Sequence, residues 1–168
     1  MKFEPRRTVR YYYLRFLRLK ADPGSIARGV SLGVFIGITP TLPLHTVLLL
    51  ALVPLLRGNL VAAFLAATVV SNPLTFPLQY SLSWIVGSYL LPCDVSWNDI
   101  CTTLDMAMGE APFLDALKEM AHLGRGPLIT LVGGGTVLAL PPAVASYFGS
   151  RWLVVRYRMK KREMQRLT

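Results

Sequence analysis

Five polar residues stand beside prolines inside otherwise apolar stretches, and they are where this sequence offers chemistry: Thr39, Thr41, His45, Asn72 and Thr75. Pro40 and Pro43 deprive the carbonyls of Ile36 and Thr39 of their usual helical partners, and Pro73 and Pro77 do the same to Val69 and Pro73. Asn72, which precedes a proline, is pushed out of the helical region. Beside such a break, a hydroxyl, imidazole or amide has two uses. It closes a freed carbonyl and so glues helices together, or it presents donors and acceptors to a solute. The residue types leave both uses open. Asn72 is the first choice for a pathway, because its amide offers two donors and two acceptor lone pairs.

Two cations, Arg28 and Arg57, flank the first of these stretches. If the chain between them folds back as a hairpin, both guanidinium groups lie at its mouth, within reach of an anionic lipid headgroup or an anionic substrate. As plain topology markers they would only hold the two ends on one side. Other chemistries find little to work with. Six of the nine acids fall in residues 92–124, and no His cluster has metal-ligand spacing. Cys93 and Cys101 have no neighbouring His, and two cysteines specify neither a metal site nor a disulfide, although an oxidising compartment would allow a bridge. Gly133-Gly134-Gly135-Thr136 resembles a phosphate cradle only superficially, since no strand precedes it and no Lys follows. The expectation is no enzyme, no metal and no cofactor.

The elements that carry these residues are long and nearly uncharged. Runs without Asp, Glu, Lys or Arg extend for 28 residues after Arg28, 36 after Arg57 and 25 after Arg125. A helix needs only about 20 residues to cross a hydrocarbon core. Buried core helices are the alternative, but three such runs make up more than half of the 168 residues, and only 16% of the chain is charged. An average soluble domain has roughly 25%. The first run begins after the opening 25 residues and exceeds the h-region of a signal peptide, so it is expected to stay in the mature chain.

Charge orders the ends. Residues 1–20 and 151–168 each carry seven Lys or Arg and one acid, whereas residues 92–124 are acidic. Positive flanks stay on the cytoplasmic side, which sets both termini inside and 93–124 outside. A net charge of +9 also fits nucleic-acid binding, but that needs a soluble core behind the basic face. No nucleic-acid partner is expected.

These constraints give an all-α integral membrane protein. Residues 1–25 form a basic segment whose part 5–20 is an amphipathic helix on an anionic leaflet, or alternatively a cytoplasmic docking helix. The membrane domain covers 26–150. Within it, 26–56 is a re-entrant or broken hairpin turning at Thr39 to Pro43, and 60–91 is a broken spanning helix. Residues 93–124 form two short amphipathic interfacial helices, 127–149 crosses back with a kink at Pro141-Pro142, and 151–168 is a basic tail. Three crossings before residue 93 is the rival topology, and it would need helices shorter than the membrane is thick. Gly29, Gly33 and Gly37 leave a smooth strip for close helix approach. Pro40 and Pro73 lie 33 residues apart, and Pro43-Leu44-His45 and Pro77-Leu78-Gln79 lie 34 apart, a weak internal repeat.

The residues Gly33-Val34-Phe35-Ile36-Gly37-Ile38-Thr39-Pro40, Arg57-Gly58-Asn59, and Ser71-Asn72-Pro73-Leu74-Thr75 followed by Tyr80 resemble a bacterial membrane family catalogued as domain of unknown function 2062. The resemblance extends over about residues 20–150. It implies a bacterial inner-membrane protein and brings no established activity or catalytic residue. In some members the domain is joined to glycosyltransferase modules, for which this chain has no room. The expected function is a small transporter or lipid-handling protein, homo-oligomeric or not, that uses the two broken segments as its pathway. A non-transporting membrane scaffold or partner subunit is the alternative.

Overall fold

A computed structural model describes residues 21–41, 44–72, 75–91 and 125–166, and the regular structure among them is entirely helical. The amphipathic helices expected at 5–20 and within 93–124 lie outside the described residues, as do Cys93 and Cys101.

Helix α1 (Pro23–Ile38) begins with Asp22, whose carboxylate accepts from the amides of Gly24 at 2.9 Å and Ser25 at 3.2 Å. Those are two of the donors that a helix start leaves unsatisfied. Helix α2 (His45–Leu55) runs back along α1 and buries Leu49 and Val53 against Ile36. It ends at Arg57, which takes the left-handed φ of 53° that lets the chain turn. The two ends of this α1–α2 hairpin are then tied together. The Ser25 hydroxyl donates to the Arg57 carbonyl at 3.1 Å, and the Asn59 amide donates to the Ser25 carbonyl at 2.9 Å.

Helix α3 (Leu60–Val70) is capped by the Asn59 side chain, which accepts from the Ala62 amide at 2.9 Å. It lies parallel to α1 along the expected glycine strip, with Gly29 against Asn59, Gly33 against Ala63 and Gly37 against Ser71. A β-carbon at Gly29 or Gly33 would overlap a backbone oxygen of α3, so only glycine permits this approach.

After the second break, α4 (Phe76–Leu90) continues in the direction of α3. Pro77 was expected to prolong the break. It falls instead in the first turn of α4, where a missing N–H has no helical partner to lose.

Helix α5 (Arg125–Arg166) has 42 residues, about 63 Å at 1.5 Å per residue. It runs antiparallel to α1 and α4 and joins them. Arg158 donates to the Ala21 carbonyl at 2.5 Å, and the Ser31 hydroxyl to the Ala143 carbonyl at 2.8 Å. Pro40 seats on Gly135, and Ser83 and Gly87 seat on Gly134 and Thr130. The helix passes through Pro141 and Pro142 without ending and takes in most of the basic stretch expected as a separate tail. Arg, Lys, Met, Glu and Gln, which dominate residues 156–166, are all good helix formers.

Among the described residues, α5 is the one helix long and apolar enough to cross a membrane, and α1, α2 and α3 are shorter apolar helices. Ala62, Ala63 and Ala67 on α3, Ser83 and Gly87 on α4, and Ala139 and Ala143 on α5 are buried between helices, beside Ile26, Ile36, Leu49, Val53 and Val154. Large apolar side chains point outward, with Val69 69% exposed, Leu78 63% and Phe148 63%.

Candidate functional site

Both breaks lie at the same height in the bundle, where α1 and α3 end and α2 and α4 begin. At the first, the Thr39 amide and hydroxyl both donate to the Phe35 carbonyl, at 3.1 and 2.9 Å. The Thr39 carbonyl, expected to lose its partner to Pro43, accepts from the Thr41 amide at 2.8 Å and its hydroxyl at 3.4 Å. The His45 ring lies beside the backbone of Ile36, whose carbonyl Pro40 leaves without its usual donor.

At the second break, the carbonyl that collects donors is that of Val70 rather than the expected Val69. It accepts from the Thr75 hydroxyl at 2.7 Å, the Gln79 side-chain amide at 3.0 Å and the Asn72 amide at 3.1 Å. Ser71 leaves helical geometry at ψ 77°, which orphans the last-turn carbonyls and exposes Val70 to side chains. The Asn72 carbonyl accepts from the Thr75 amide at 2.8 Å and lies at the same distance from the Thr75 hydroxyl, whose one hydrogen serves either Val70 or Asn72.

The Ser71 hydroxyl donates to the Gly37 carbonyl at 3.1 Å and so links the two breaks directly. Beside this link is a cavity of about 50 Å³, lined by Gly37, Thr39, Pro40, His45, Ser71, Phe76, Gln79 and Tyr80. It has room for water, and its walls are mostly apolar, with polar side chains contributed by Thr39, His45, Ser71 and Gln79. Of the five residues singled out in the sequence, Thr39 and His45 line it. Thr41 and Thr75 close the two turns beside it, and Asn72 is exposed, acting at the break through its main chain.

Ser71, Gln79 and Tyr80 were missed as site residues. The signal for them was the internal repeat. Gly37 and Ser71 are 34 residues apart and touch. His45 and Gln79 share that offset, as do their carbonyl partners Ile36 and Val70, each nine residues upstream. The two broken segments are thus built alike at the break, although the first folds back and the second goes on.

A family described as "uncharacterized protein conserved in bacteria (DUF2062)" matches residues 6–163. The chain belongs to this family. No curated protein and no solved structure matches it. The motifs that carry the DUF2062 resemblance gather at this site: Gly33 to Pro40 form the end of α1 and its break, Ser71 opens the second break, and Tyr80 walls the cavity. Arg57-Gly58-Asn59 lies elsewhere, at the open end of the α1–α2 hairpin. Gly58 is pressed there against Gly29 and Val53, and exposed Arg28 and Arg57 share that end with Arg151 and Arg156.

Proposed function

We propose that this DUF2062 chain is a multi-pass protein of the bacterial inner membrane that moves a small solute through the junction of its two broken segments. In this reading the α1–α2 hairpin is re-entrant from the cytoplasmic side, α3–α4 is a broken crossing outward, and α5 crosses back. Both termini are cytoplasmic, and Arg28 and Arg57 meet anionic headgroups. The many exposed Leu, Val and Phe side chains, and helix contacts made through Gly, Ala and Ser, support a lipid surround. So does the charge distribution. Between the basic end and Arg125 the described helices carry no Asp, Glu, Lys or Arg.

One observation carries the transport reading: two proline-interrupted segments meet at a shared cavity bordered by Thr39, His45, Ser71 and Gln79, the arrangement in which transporters build sites from discontinuous helices. A cavity of about 50 Å³ favours a small solute over a lipid headgroup. The alternative, a membrane scaffold or partner subunit, draws support from how completely the freed carbonyls are taken up by Thr41, His45, Thr75 and Gln79.

The test is reswelling of liposomes after hyperosmotic shock, followed by light scattering, with purified protein and a panel of small neutral and ionic solutes. Transport predicts protein-dependent reswelling for at least one solute, slowed by Ser71→Leu, which fills the junction. Equal rates with and without protein for every solute would leave the scaffold reading.

A further inference from the structure

We infer that the outward face of the second half of α5 binds an anionic phospholipid, with its phosphate held by Arg151 and Arg156. Val144, Phe148, Trp152, Val155 and Met159 are each at least 37% exposed. They recur every three or four residues, which sets them in one stripe along the helix. The opposite face is the one that packs. Val154 is buried against Ile26 and Ala62, and Arg158 donates to the Ala21 carbonyl. Arg151 and Arg156 are exposed, flank the stripe at Trp152, and line an open groove of about 470 Å³ with Phe148, Val155 and Met159. The Arg156 guanidinium lies over the Trp152 ring, 4.5 Å from its centroid. That contact uses the charge of the group and not its N–H fork, and the fork is what pairs with a phosphate.

Charge selects the occupant of this groove. The acids among the described residues are Asp22, whose carboxylate caps α1, and Glu163, and neither lines it. A second copy of the chain would bring the same arginines to the face, and residues 1–20 carry seven Lys or Arg and one acid, so like charges oppose both. Residues 92–124 are acidic, but they are tied to the chain at Leu91 and Arg125, and Arg125 lies about 39 Å along α5 from Arg151. An anionic phospholipid matches both parts of the face. Its acyl chain follows Val144 and Phe148, its phosphate meets the two arginines, and Trp152 stands at the headgroup level, where indole rings collect. This goes beyond the transport reading and takes from it only that α5 lies in a bilayer.

The experiment is native mass spectrometry of the purified full chain, released from detergent micelles that contain either anionic phosphatidylglycerol or zwitterionic phosphatidylcholine. Phosphatidylglycerol should stay bound at concentrations where phosphatidylcholine does not. Each guanidinium removed is expected to weaken binding about fivefold, so Arg151→Gln with Arg156→Gln should lose about 25-fold. Lys160→Gln with Arg162→Gln removes the same charge from exposed positions of the same helix outside the groove, and should keep the lipid. Both pairs should melt with the wild type in lipid-free micelles. Equal retention of the two lipids, or equal loss in the two double variants, overturns the site. So does release of the lipid by millimolar glycerol 3-phosphate, which would make the ligand a soluble phosphate ester. A lipid-free dimer that Arg151→Gln with Arg156→Gln dissociates would put a second copy on the face instead. Failure of the lipid to bind while liposomes still reswell leaves the transport reading standing, and a bound lipid without reswelling keeps this site and removes transport.

Discussion

The Ser71 hydroxyl reaches across to the Gly37 carbonyl at 3.1 Å, joining two residues that are 34 positions apart and equivalent in the internal repeat. Breaking this link with Ser71→Ala should cost about 0.6–1.7 kcal/mol, the range for hydrogen bonds between membrane helices. Ser83→Ala, which removes a buried hydroxyl with no partner among the described residues, should be neutral or stabilising. Unfolding the two variants side by side by denaturant titration in micelles checks the contrast. Equal losses would show that the Ser71 bond carries no weight.

The glycines fall into two groups. At Gly33 and Gly134 a β-carbon would strike backbone oxygens of Ala63 and Ser83, atoms that move only if a helix moves. Alanine at either should destabilise by about 1–3 kcal/mol despite its better helix propensity. Gly149 has nothing within 4 Å of that position. There alanine should be neutral or add up to about 1 kcal/mol. Melting temperatures of the three variants test this ordering.

His45 stands beside Ile36 as Gln79 stands beside Val70, so a glutamine should serve at both places. His45→Gln is expected to fold with near wild-type yield, whereas His45→Leu leaves the Ile36 carbonyl without a side-chain donor and loses about 1 kcal/mol or more. If His45→Gln and His45→Leu were equally impaired, the equivalence would be wrong.

Arg57 occupies a left-handed conformation that costs a non-glycine residue about 1–2 kcal/mol. Arg57→Gly should therefore raise stability by a similar amount, even though it removes a cation from the basic end. A denaturation curve without that gain would mean that the guanidinium is worth as much as the strain.

Topology is open to labelling of intact cells with a membrane-impermeant thiol reagent, using single cysteines introduced after Cys93 and Cys101 are replaced. Positions near Asn98 and Glu110 should label, and positions near Arg7, Asn59 and Lys161 should not. Labelling at Asn59 would exclude a hairpin that re-enters on the cytoplasmic side.

The two breaks and the glycines that meet another helix were legible from residue types alone. Proline lacks an N–H and glycine lacks a β-carbon, and both facts are local, so the breaks after Ile38 and Val70 and the Gly29-Gly33-Gly37 contact were legible without a fold. The uninterrupted passage of α5 through Pro141 and Pro142 was not, because a helix packed along α1 and α4 tolerates what an isolated one would not. Nor was the choice of site residues. Asn72 has the richest hydrogen-bonding chemistry of the five candidates, yet Ser71 beside it faces the other break. One step along the chain after a helix end decides which side chain points inward, and only the packing of α3 on α1 fixes that rotation. Packing supplies the physical reason for the direction each segment takes after its break. Chains built alike at His45 and Gln79 diverge because α2 finds the apolar surface of Ile36, Ala63 and Ala67 to fold back on, while α4 finds the small-residue groove at Thr130 and Gly134.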